Sequence, residues 1–372
     1  MECRSIARNT LKEKSCILCM WDFLLFTKIF TKMSGQKFKI LSIDGGGMRG
    51  IIPAKILCEL EEELQKREGP DARLCDYFDL ICGTSTGGII AIGLALGISA
   101  KDILDLYVKH GKEIFSHKWM RFLIKGRFYD QCALKNFLTE AYKDARIDDC
   151  RTRICIPTYD LYRGTIHVLK TRHHERLSRD HHIPAVDAAL STSAAPVYFH
   201  PYTFRYTNID SENINSAFHH VDGGVFANNP ALIGITEAHS CLNVPLEDVE
   251  LLSLGTGEIL LKEVKPNKRM RAGYWLNPLG CDGLRLYELV ASSQSVNIHN
   301  TLTMLQKGIG KSEEKRFKYI RIQQALDRKI DLDATDDESL EVLMHIGQEL
   351  YKLNDTDLKS FIATRVQQYE RS

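Results

Sequence analysis

The sequence predicts an α/β protein whose central, mostly parallel sheet is covered by helices on both faces and is followed by additional C-terminal helices. Phe38 to Ile43 is a short apolar run that leads through a glycine-rich loop into Ile51 to Arg67, which has helical spacing. The pattern repeats where Phe78 to Cys82 leads through Gly83 to Gly88 into the apolar segment Ile89 to Leu96. Apolar runs without alternation are typical of strands buried on both faces, and their alternation with helices predicts the α/β class.

Later segments extend this pattern. Arg153 to Thr158 and Thr165 to Thr171 flank Tyr162 to Gly164 and predict a hairpin. Ile183 to Leu190 has helical spacing, and Val249 to Leu254 predicts another buried strand. Three more helices are predicted beyond residue 258, with no chemistry assigned to them: Leu284 to Leu305, Asp337 to Tyr351 and Asp355 to Tyr369.

We expect three regions along the chain. They are a leader at 1–36, a catalytic core at 37–236, and a C-terminal region at 237–372 that completes the sheet at 249–257 and adds helices. The leader is expected to be disordered or to precede the true start, for which Met33 is available. Its apolar stretch, Cys16 to Phe30, is too short to span a bilayer, although a membrane anchor remains an open alternative.

Composition excludes some classes of function. With 49 Lys and Arg against 48 Asp and Glu, the net charge of +1 gives no field that would attract nucleic acid. The 11 cysteines are scattered, and the single CxxC, Cys16 to Cys19, lacks the further ligands of a zinc site. We therefore predict reduced thiols and a cytoplasmic protein without nucleic-acid partners; the oligomeric state is not predicted.

Gly83-Thr84-Ser85-Thr86-Gly87 matches the GxSxG pattern of a nucleophile elbow. In such a turn the serine lies between a strand and a helix, and the flanking glycines remove side chains that would clash. The helix that follows directs its N-terminal dipole and free N–H groups towards Ser85, which favours an alkoxide. A Ser/Thr helix cap within a glycine turn is the structural alternative.

The earlier loop, Asp44 to Gly50, fits the GxGxxG pattern of a dinucleotide site. A dinucleotide site needs a second strand that ends in an acidic residue about 20 positions later. This chain has the helical segment Glu61 to Arg67 there, so the requirement is not met. The glycine N–H groups are therefore better suited to an oxyanion hole. Arg49 would steady this loop or bind a phosphate, with a solvated surface arginine as the alternative.

A third glycine turn begins at Asp222, in the segment His220 to Pro230. Its glycines are Gly223 and Gly224. Taken alone, a carboxylate at the start of such a turn is an ordinary Asx-type turn. Its interest lies in its occurrence together with the two glycine motifs that precede it.

These three elements, in this order, resemble the patatin-like phospholipases, whose pattern is a DGGGxRG loop, a GxSxG elbow and a distal DG[AG]. The similarity extends to Asp76 to Leu80, Thr192 to Phe199 and Leu252 to Gly257, so it covers roughly Lys37 to Gly257. It implies the patatin-like three-layer fold and a phospholipase A type of lipid acyl hydrolase. A phospholipid is then the substrate, at a peripheral membrane contact, with neither cofactor nor metal.

Transferred by position, the resemblance implies a Ser-Asp dyad with Ser85 as the nucleophile and Asp222 as the base. Gly45, Gly46, Gly47 and Arg49 would then form the oxyanion loop. A free aspartate has a pKa near 3.9 and is a weak base towards a serine hydroxyl. Burial raises the pKa of the aspartate, and the glycine and helix dipoles lower the pKa of the serine hydroxyl. The difference between the two pKa values is therefore smaller in the site than in water.

Alternatives remain open at this point. An α/β-hydrolase esterase shares GxSxG but needs a late histidine, for which His239, His299 and His345 are available. A non-catalytic lipid- or nucleotide-binding module on the same fold is the hypothesis of another class. The resemblance also includes bacterial phospholipases of antiphage defence that a cyclic nucleotide activates, in which case the C-terminal helices would hold the sensor.

Two further features of the sequence bear on binding. The adjacent histidine pairs, His173-His174, His181-His182 and His219-His220, invite a metal site, but no converging ligand pattern accompanies them, and we expect surface loops instead. Lys118 to Phe128 mixes aromatic residues with four cations and no acid. This segment is the predicted membrane-docking or pocket-covering element, with packing on the core as its alternative.

Overall fold

The structure is a computed structural model that describes residues 37–115, 129–259, 274–275, 285–308 and 317–370. The predicted leader at 1–36 and the docking segment at 118–128 lie outside these residues. From Phe38 onward the chain forms one compact unit. The predicted division of that unit at residue 236 stays a prediction.

A mixed sheet of eight strands forms the centre of the described residues, in the order β5-β6-β3-β2-β1-β7-β8 with β4 beside β3. The strands are β1 Phe38–Ile43, β2 Leu80–Gly83, β3 Arg153–Asp160, β4 Thr165–Lys170, β5 Tyr202–Thr207, β6 Ile214–Asp222, β7 Val249–Leu254 and β8 Lys318–Ile322. Pairing is parallel for β1–β2, β1–β7, β2–β3 and β7–β8, and antiparallel around β4, β5 and β6. The predicted mostly parallel sheet is confirmed.

Helices cover both faces of this sheet. They are α1 Ile51–Glu68, α2 Thr86–Ala95, α3 Ala100–Ile114, α4 Gln131–Tyr142, α5 Ala185–Thr192, α6 Gly224–Ala227, α7 Ala231–Thr236, α8 Arg285–Gly308, α9 Asp337–Leu353 and α10 Asp355–Phe361. Side chains of β1 alternate between two cores: Leu41 and Ile43 pack with α1 to α5, α9 and α10, whereas Phe38 and Ile40 pack with α7 and α8. This alternation confirms a three-layer α/β fold.

Several local predictions hold and others are wrong. The predicted hairpin is formed by β3 and β4. Glu61 to Arg67 lies inside α1, as predicted, and not after a second strand as a dinucleotide site would need. The last helix is predicted to reach Tyr369 but ends at Phe361, where Lys39 Nζ donates to the Phe361 carbonyl oxygen. Strands β5, β6 and β8 were not predicted.

One arrangement of strands positions the functional site. The same residues of β3 that pair with β4 also pair with β2 at Cys155 and with β6 at Thr158 to Asp160. Because a strand has only two sides, β2 and β6 must share the side opposite β4. One of them runs parallel and the other antiparallel to β3, so their carboxyl ends point towards each other. Ser85 follows β2, and Asp222 ends β6.

The end of the chain is anchored beneath the sheet by a buried lysine. Lys39 Nζ donates hydrogen bonds to the carbonyl oxygens of Phe361 at 2.9 Å and Thr364 at 2.7 Å, and to Thr364 Oγ1 at 3.0 Å. Burial lowers the pKa of Lys39, and the nearby Glu250 and Asp79 oppose that change. The ammonium group therefore satisfies the carbonyls where α10 ends.

We expect Lys39→Met to lower the free energy of unfolding by about 2 kcal/mol, because it leaves buried carbonyls without a donor. Urea unfolding followed by circular dichroism measures this change. Lys66→Met is the matched control, since Lys66 is a solvent-exposed lysine whose side chain is 73% accessible. Equal stability of the two variants would show that Lys39 does not anchor the chain end.

Candidate active site

Ser85 lies in a tight turn between β2 and α2 and has left-handed backbone geometry, with φ at 55°. A non-glycine residue adopts this conformation only where the surroundings hold it. Here the Ser85 N–H donates to Thr192 Oγ1 at 3.1 Å, and the Thr192 hydroxyl donates to the Pro157 carbonyl oxygen at 2.7 Å. The turn is thereby fixed to α5 and to β3.

The glycines on either side of Ser85 are required by close backbone contacts. A Cβ atom at Gly83 would lie 2.0 Å from the Gly87 carbonyl oxygen. At Gly87 it would lie 2.3 Å from the carbonyl oxygen of Ile43 in the adjacent strand. Both separations are far below van der Waals contact, so the turn accepts only glycine at these positions.

Asp222 is fully buried at the end of β6. Its Oδ1 accepts a hydrogen bond of 2.7 Å from the Gly224 N–H, and the Gly223 N–H donates to the Thr192 carbonyl oxygen. Burial raises the pKa of Asp222 to about 7, while Ser85 and the Gly224 N–H oppose the rise. Ser85 is thus close enough to affect Asp222, yet Oδ2 has no hydrogen bond of regular geometry with any described residue.

The glycine loop after β1 offers two backbone donors. The Gly45 N–H donates to the Asn228 carbonyl oxygen at 3.0 Å, so it is not available to a ligand. Within the described part of the chain, the N–H groups of Gly46 and Gly47 have no acceptor, and both residues line the pocket. Gly47 has φ at 56°, and a Cβ there would lie 2.1 Å from the Leu332 carbonyl oxygen.

Arg49 is a buried cation in the same loop, with 8% of its surface exposed. The surface alternative for this residue is therefore wrong. Burial lowers the pKa of Arg49, and Glu288 is the acid that opposes this most strongly. The structure records no ion pair of Arg49 with a described acid, and its Nε has no partner among those residues. Because Arg49 also lines the pocket, an anion bound there would supply the missing partner.

A buried ion pair holds the start of the glycine loop. Arg321, on β8, donates to both carboxylate oxygens of Asp44 at 2.8 and 2.6 Å, and the Ser295 hydroxyl donates to Asp44 Oδ2 at 2.7 Å. Sequence reasoning missed Arg321 and Ser295, since they lie 277 and 251 residues from Asp44. No local pattern marks either residue, so only the tertiary structure reveals them.

These elements surround a pocket of about 350 Å³. Ser85, Arg49 and the glycine loop form its polar end. Its walls carry the apolar or aromatic side chains of Ile89, Tyr107, Ile114, Phe115, Leu134, Tyr198, Phe199 and Leu332. A hydroxyl, free N–H donors and a cation therefore face an apolar chamber, and the fully buried Asp222 lies behind Ser85. This arrangement suits an amphiphilic ester.

The candidate triad histidines do not join the Ser85–Asp222 pair within the described residues. His239 Nδ1 is 3.0 Å from the Val244 carbonyl oxygen, and His345 is exposed on α9. His299 lines the pocket, but its Nδ1 pairs with the Tyr319 hydroxyl at 3.1 Å. A Ser-His-Asp chain is therefore not assembled here.

The surface-loop prediction for the histidine pairs is wrong for His173, His181, His182 and His220, which are buried because they pack against the sheet and neighbouring turns.

Three groups of described residues approach metal-ligand spacing: Asp160, His167 and His220; His173, Glu237 and Cys241; His181, His182 and Asp210. Arg163 pairs with Asp160 and Arg179 with His167 Nε2 in the first group, and Lys170 pairs with Glu237 in the second. In the third, His182 Nδ1 accepts from the Ile209 N–H, which leaves the proton of the neutral ring on Nε2.

Comparison with known proteins gives consistent results. A sequence model of the patatin-like phospholipases matches residues 41–235. A cGAMP-activated phospholipase of Vibrio cholerae is 37% identical over 238 residues, which are 59% of this chain and 64% of that protein. The cGAMP-activated phospholipase of Escherichia coli is 31% identical over 355 residues, 90% of this chain and 96% of that protein.

Plant proteins and solved structures also match. Patatin-like protein 2 of Oryza sativa subsp. indica is 32% identical over 348 residues, covering 85% of this chain and 84% of that protein. The crystal structure of VipD from Legionella pneumophila aligns with 88% of this chain and 67% of its own, at 12% identity and a TM-score of 0.39.

No described helix is long and apolar enough to cross a membrane.

We expect Asp222→Asn to stabilise the protein at high pH. The pKa of Asp222 is about 7 in the fold and near 3.9 in the unfolded chain, so the folded state binds the extra proton between these values. The stability contributed by Asp222 therefore falls as pH rises from about 4 to 7. Three pKa units correspond to about 4 kcal/mol, which the asparagine variant recovers at pH 8.

Chemical denaturation at pH 5 and pH 8 measures this difference. The matched control is Asp71→Asn, at an exposed aspartate, where we expect a change within about 0.5 kcal/mol at both pH values. If Asp222→Asn raises the free energy of unfolding no more at pH 8 than at pH 5, the pKa of Asp222 is not raised in the fold.

Proposed function

Since this chain belongs to the patatin-like phospholipase family, we propose that it is a lipid acyl hydrolase of the phospholipase A type, acting through a Ser85–Asp222 dyad. The carrying observation is the position of a fully buried carboxylate, with a pKa of about 7, next to a serine in an elbow turn. A base with that pKa is far better matched to a serine hydroxyl than an ordinary aspartate.

The proposed reaction has two steps. Ser85 Oγ attacks the acyl carbonyl carbon while its proton passes to Asp222 Oδ2, the oxygen without a regular hydrogen bond among described residues. Collapse of the tetrahedral intermediate breaks the ester bond, and the leaving alcohol takes that proton. Water then attacks the acyl-enzyme with Asp222 as the base, which releases the fatty acid and restores the Ser85 hydroxyl.

The developing oxyanion needs donors that are already in place. The N–H groups of Gly46 and Gly47 meet this requirement, because they line the pocket without an acceptor among the described residues. Fixed donors in a site shielded from water stabilise a developing charge without reorganisation. Gly45 contributes to the loop through its backbone shape, since its own N–H is already occupied.

A phospholipid fits the pocket better than a neutral ester. Its acyl chain matches the apolar walls, and its phosphate supplies an anion for Arg49, which has no described ion-pair partner. The buried cysteines Cys58, Cys75, Cys82 and Cys155 carry free thiols. They support a reducing, cytoplasmic setting. The proposed enzyme contacts membranes peripherally and uses neither a cofactor nor a metal.

A second candidate function adds regulation to the same chemistry. Two relatives are named cGAMP-activated phospholipases, and one of them is matched over 96% of its length. We therefore propose activation by a cyclic dinucleotide as the alternative to a constitutive hydrolase. A non-catalytic binding module is the remaining alternative, and the intact Ser85–Asp222 pair argues against it.

We expect Ser85→Ala and Asp222→Asn each to reduce hydrolysis of a fluorogenic acyl ester by at least about a thousandfold. In the parent protein, kcat/KM should rise with pH to a plateau, with a midpoint near 7, because Asp222 accepts a proton only when ionised. Ser211→Ala and Asp210→Asn, at exposed positions, should retain full activity. Full activity of Asp222→Asn in folded protein would exclude the dyad.

For the second candidate, we expect added cGAMP to raise the rate of phospholipid hydrolysis at least tenfold. The measurement is fatty-acid release from vesicles by mass spectrometry, with Ser85→Ala as the blank and an equimolar mixture of AMP and GMP as the nucleotide control. Unchanged rates across micromolar cGAMP would reject the switch and leave the hydrolase proposal intact.

A further inference from the structure

The outer face of helix α8 carries five exposed apolar side chains. Its inward residues, Glu288, Ala291, Ser295, Ile298 and Leu302, are buried against the protein. The opposite face presents Leu286, Leu289, Val290, Val296 and Met304, whose exposed fractions range from 36% to 72%. We call these five residues the α8 stripe. They repeat at the three- and four-residue spacing that places side chains on one side of a helix.

Charged residues do not interrupt the stripe. The other outward positions along the same face are Ser293, Asn297 and Asn300, which are exposed and uncharged. The only charged residues of α8 are Arg285 and Lys307 near its ends and the buried Glu288. A helix whose outer face meets water normally carries charges there, so this face is suited to an apolar environment.

The stripe meets the pocket at one edge of α8. The inward residues Glu288, Ala291 and Ser295 form part of the pocket wall, with Ser292 and His299 beside them. Val296 belongs to both surfaces, because it lines the pocket and is also 39% exposed. The apolar face of α8 therefore begins at the rim of the chamber that contains Ser85.

We propose that the α8 stripe docks on the surface of a lipid bilayer and delivers acyl chains into the pocket, an inference that rests on the proposed hydrolase function. Any occupant of the stripe also lies over Val296 at the pocket rim. A protein partner or a second copy in that position would obstruct substrate entry, whereas a bilayer supplies the substrate. An acyl chain that passes along Val296 moves from one apolar environment to another without full exposure to water.

The absence of charge on the stripe also defines the type of membrane contact. Binding depends on burial of apolar side chains in the interface rather than on attraction to anionic lipids. It should therefore operate on phosphatidylcholine vesicles and change little between 50 mM and 500 mM salt. Docking through the cationic segment 118–128 would instead depend on salt and on anionic lipid, so these two measurements distinguish the two docking elements.

The test is the double variant Leu289→Gln, Val290→Gln, which keeps residues of good helix propensity and adds no charge. We expect hydrolysis of phosphatidylcholine vesicles to fall at least tenfold, while hydrolysis of a soluble short-chain ester stays within twofold of the parent. Leu353→Gln is the matched control, because Leu353 is 78% exposed at the end of α9 and does not line the pocket. That variant should retain both activities.

Vesicle binding is measured separately by co-sedimentation in a Ser85→Ala background, so that docking is judged without catalysis. Unchanged vesicle binding and hydrolysis in the double variant would overturn the proposal. So would a parallel loss of soluble-ester activity, a marked fall in unfolding temperature, or a change in oligomeric state, because each places the stripe in contact with protein. If the parent binds vesicles but hydrolyses neither substrate, the hydrolase function fails and docking stands.

Discussion

The end-to-end placement of β2 and β6 along one side of β3 is the constraint on which this site depends. It brings the carboxyl ends of a parallel and an antiparallel strand together, so that residues 137 positions apart in sequence numbering, Ser85 and Asp222, become neighbours. Thr192 then ties the elbow to β3 through its hydroxyl. The same placement encloses Asp222 completely, and this burial gives its carboxyl group a raised pKa.

The second requirement is a glycine loop with a fixed shape, and its support comes from the far end of the chain. Asp44 is held by Arg321, and the Met48 N–H donates to the Leu332 carbonyl oxygen at 2.7 Å. Breaking a buried ion pair leaves an uncompensated charge, which is strongly destabilising. Strand β8 therefore supports the glycine loop, although its sequence carries no motif.

Local patterns in the sequence were sufficient for the parts of the fold that local physics determines. Unalternating apolar runs identified β1, β2 and β7, and the glycine turns located Ser85, Asp222 and the loop between Gly45 and Gly47. Strand β6 escaped prediction because most of its first six residues are exposed, and Arg321 because its partner lies 277 residues away. Burial of the histidines likewise depends on which elements meet, which spacing along the chain does not specify.

The Asp44–Arg321 pair also sets an order of events during synthesis of the protein. The elbow, the aspartate and the glycine loop are all translated before β8, yet the loop lacks its counter-charge until Arg321 has emerged and folded into the sheet. A nascent or truncated chain that ends before β8 therefore contains every motif of the site without its finished geometry. The loop between Gly45 and Gly47 therefore takes its final shape only when segments from both ends of the described chain are in place.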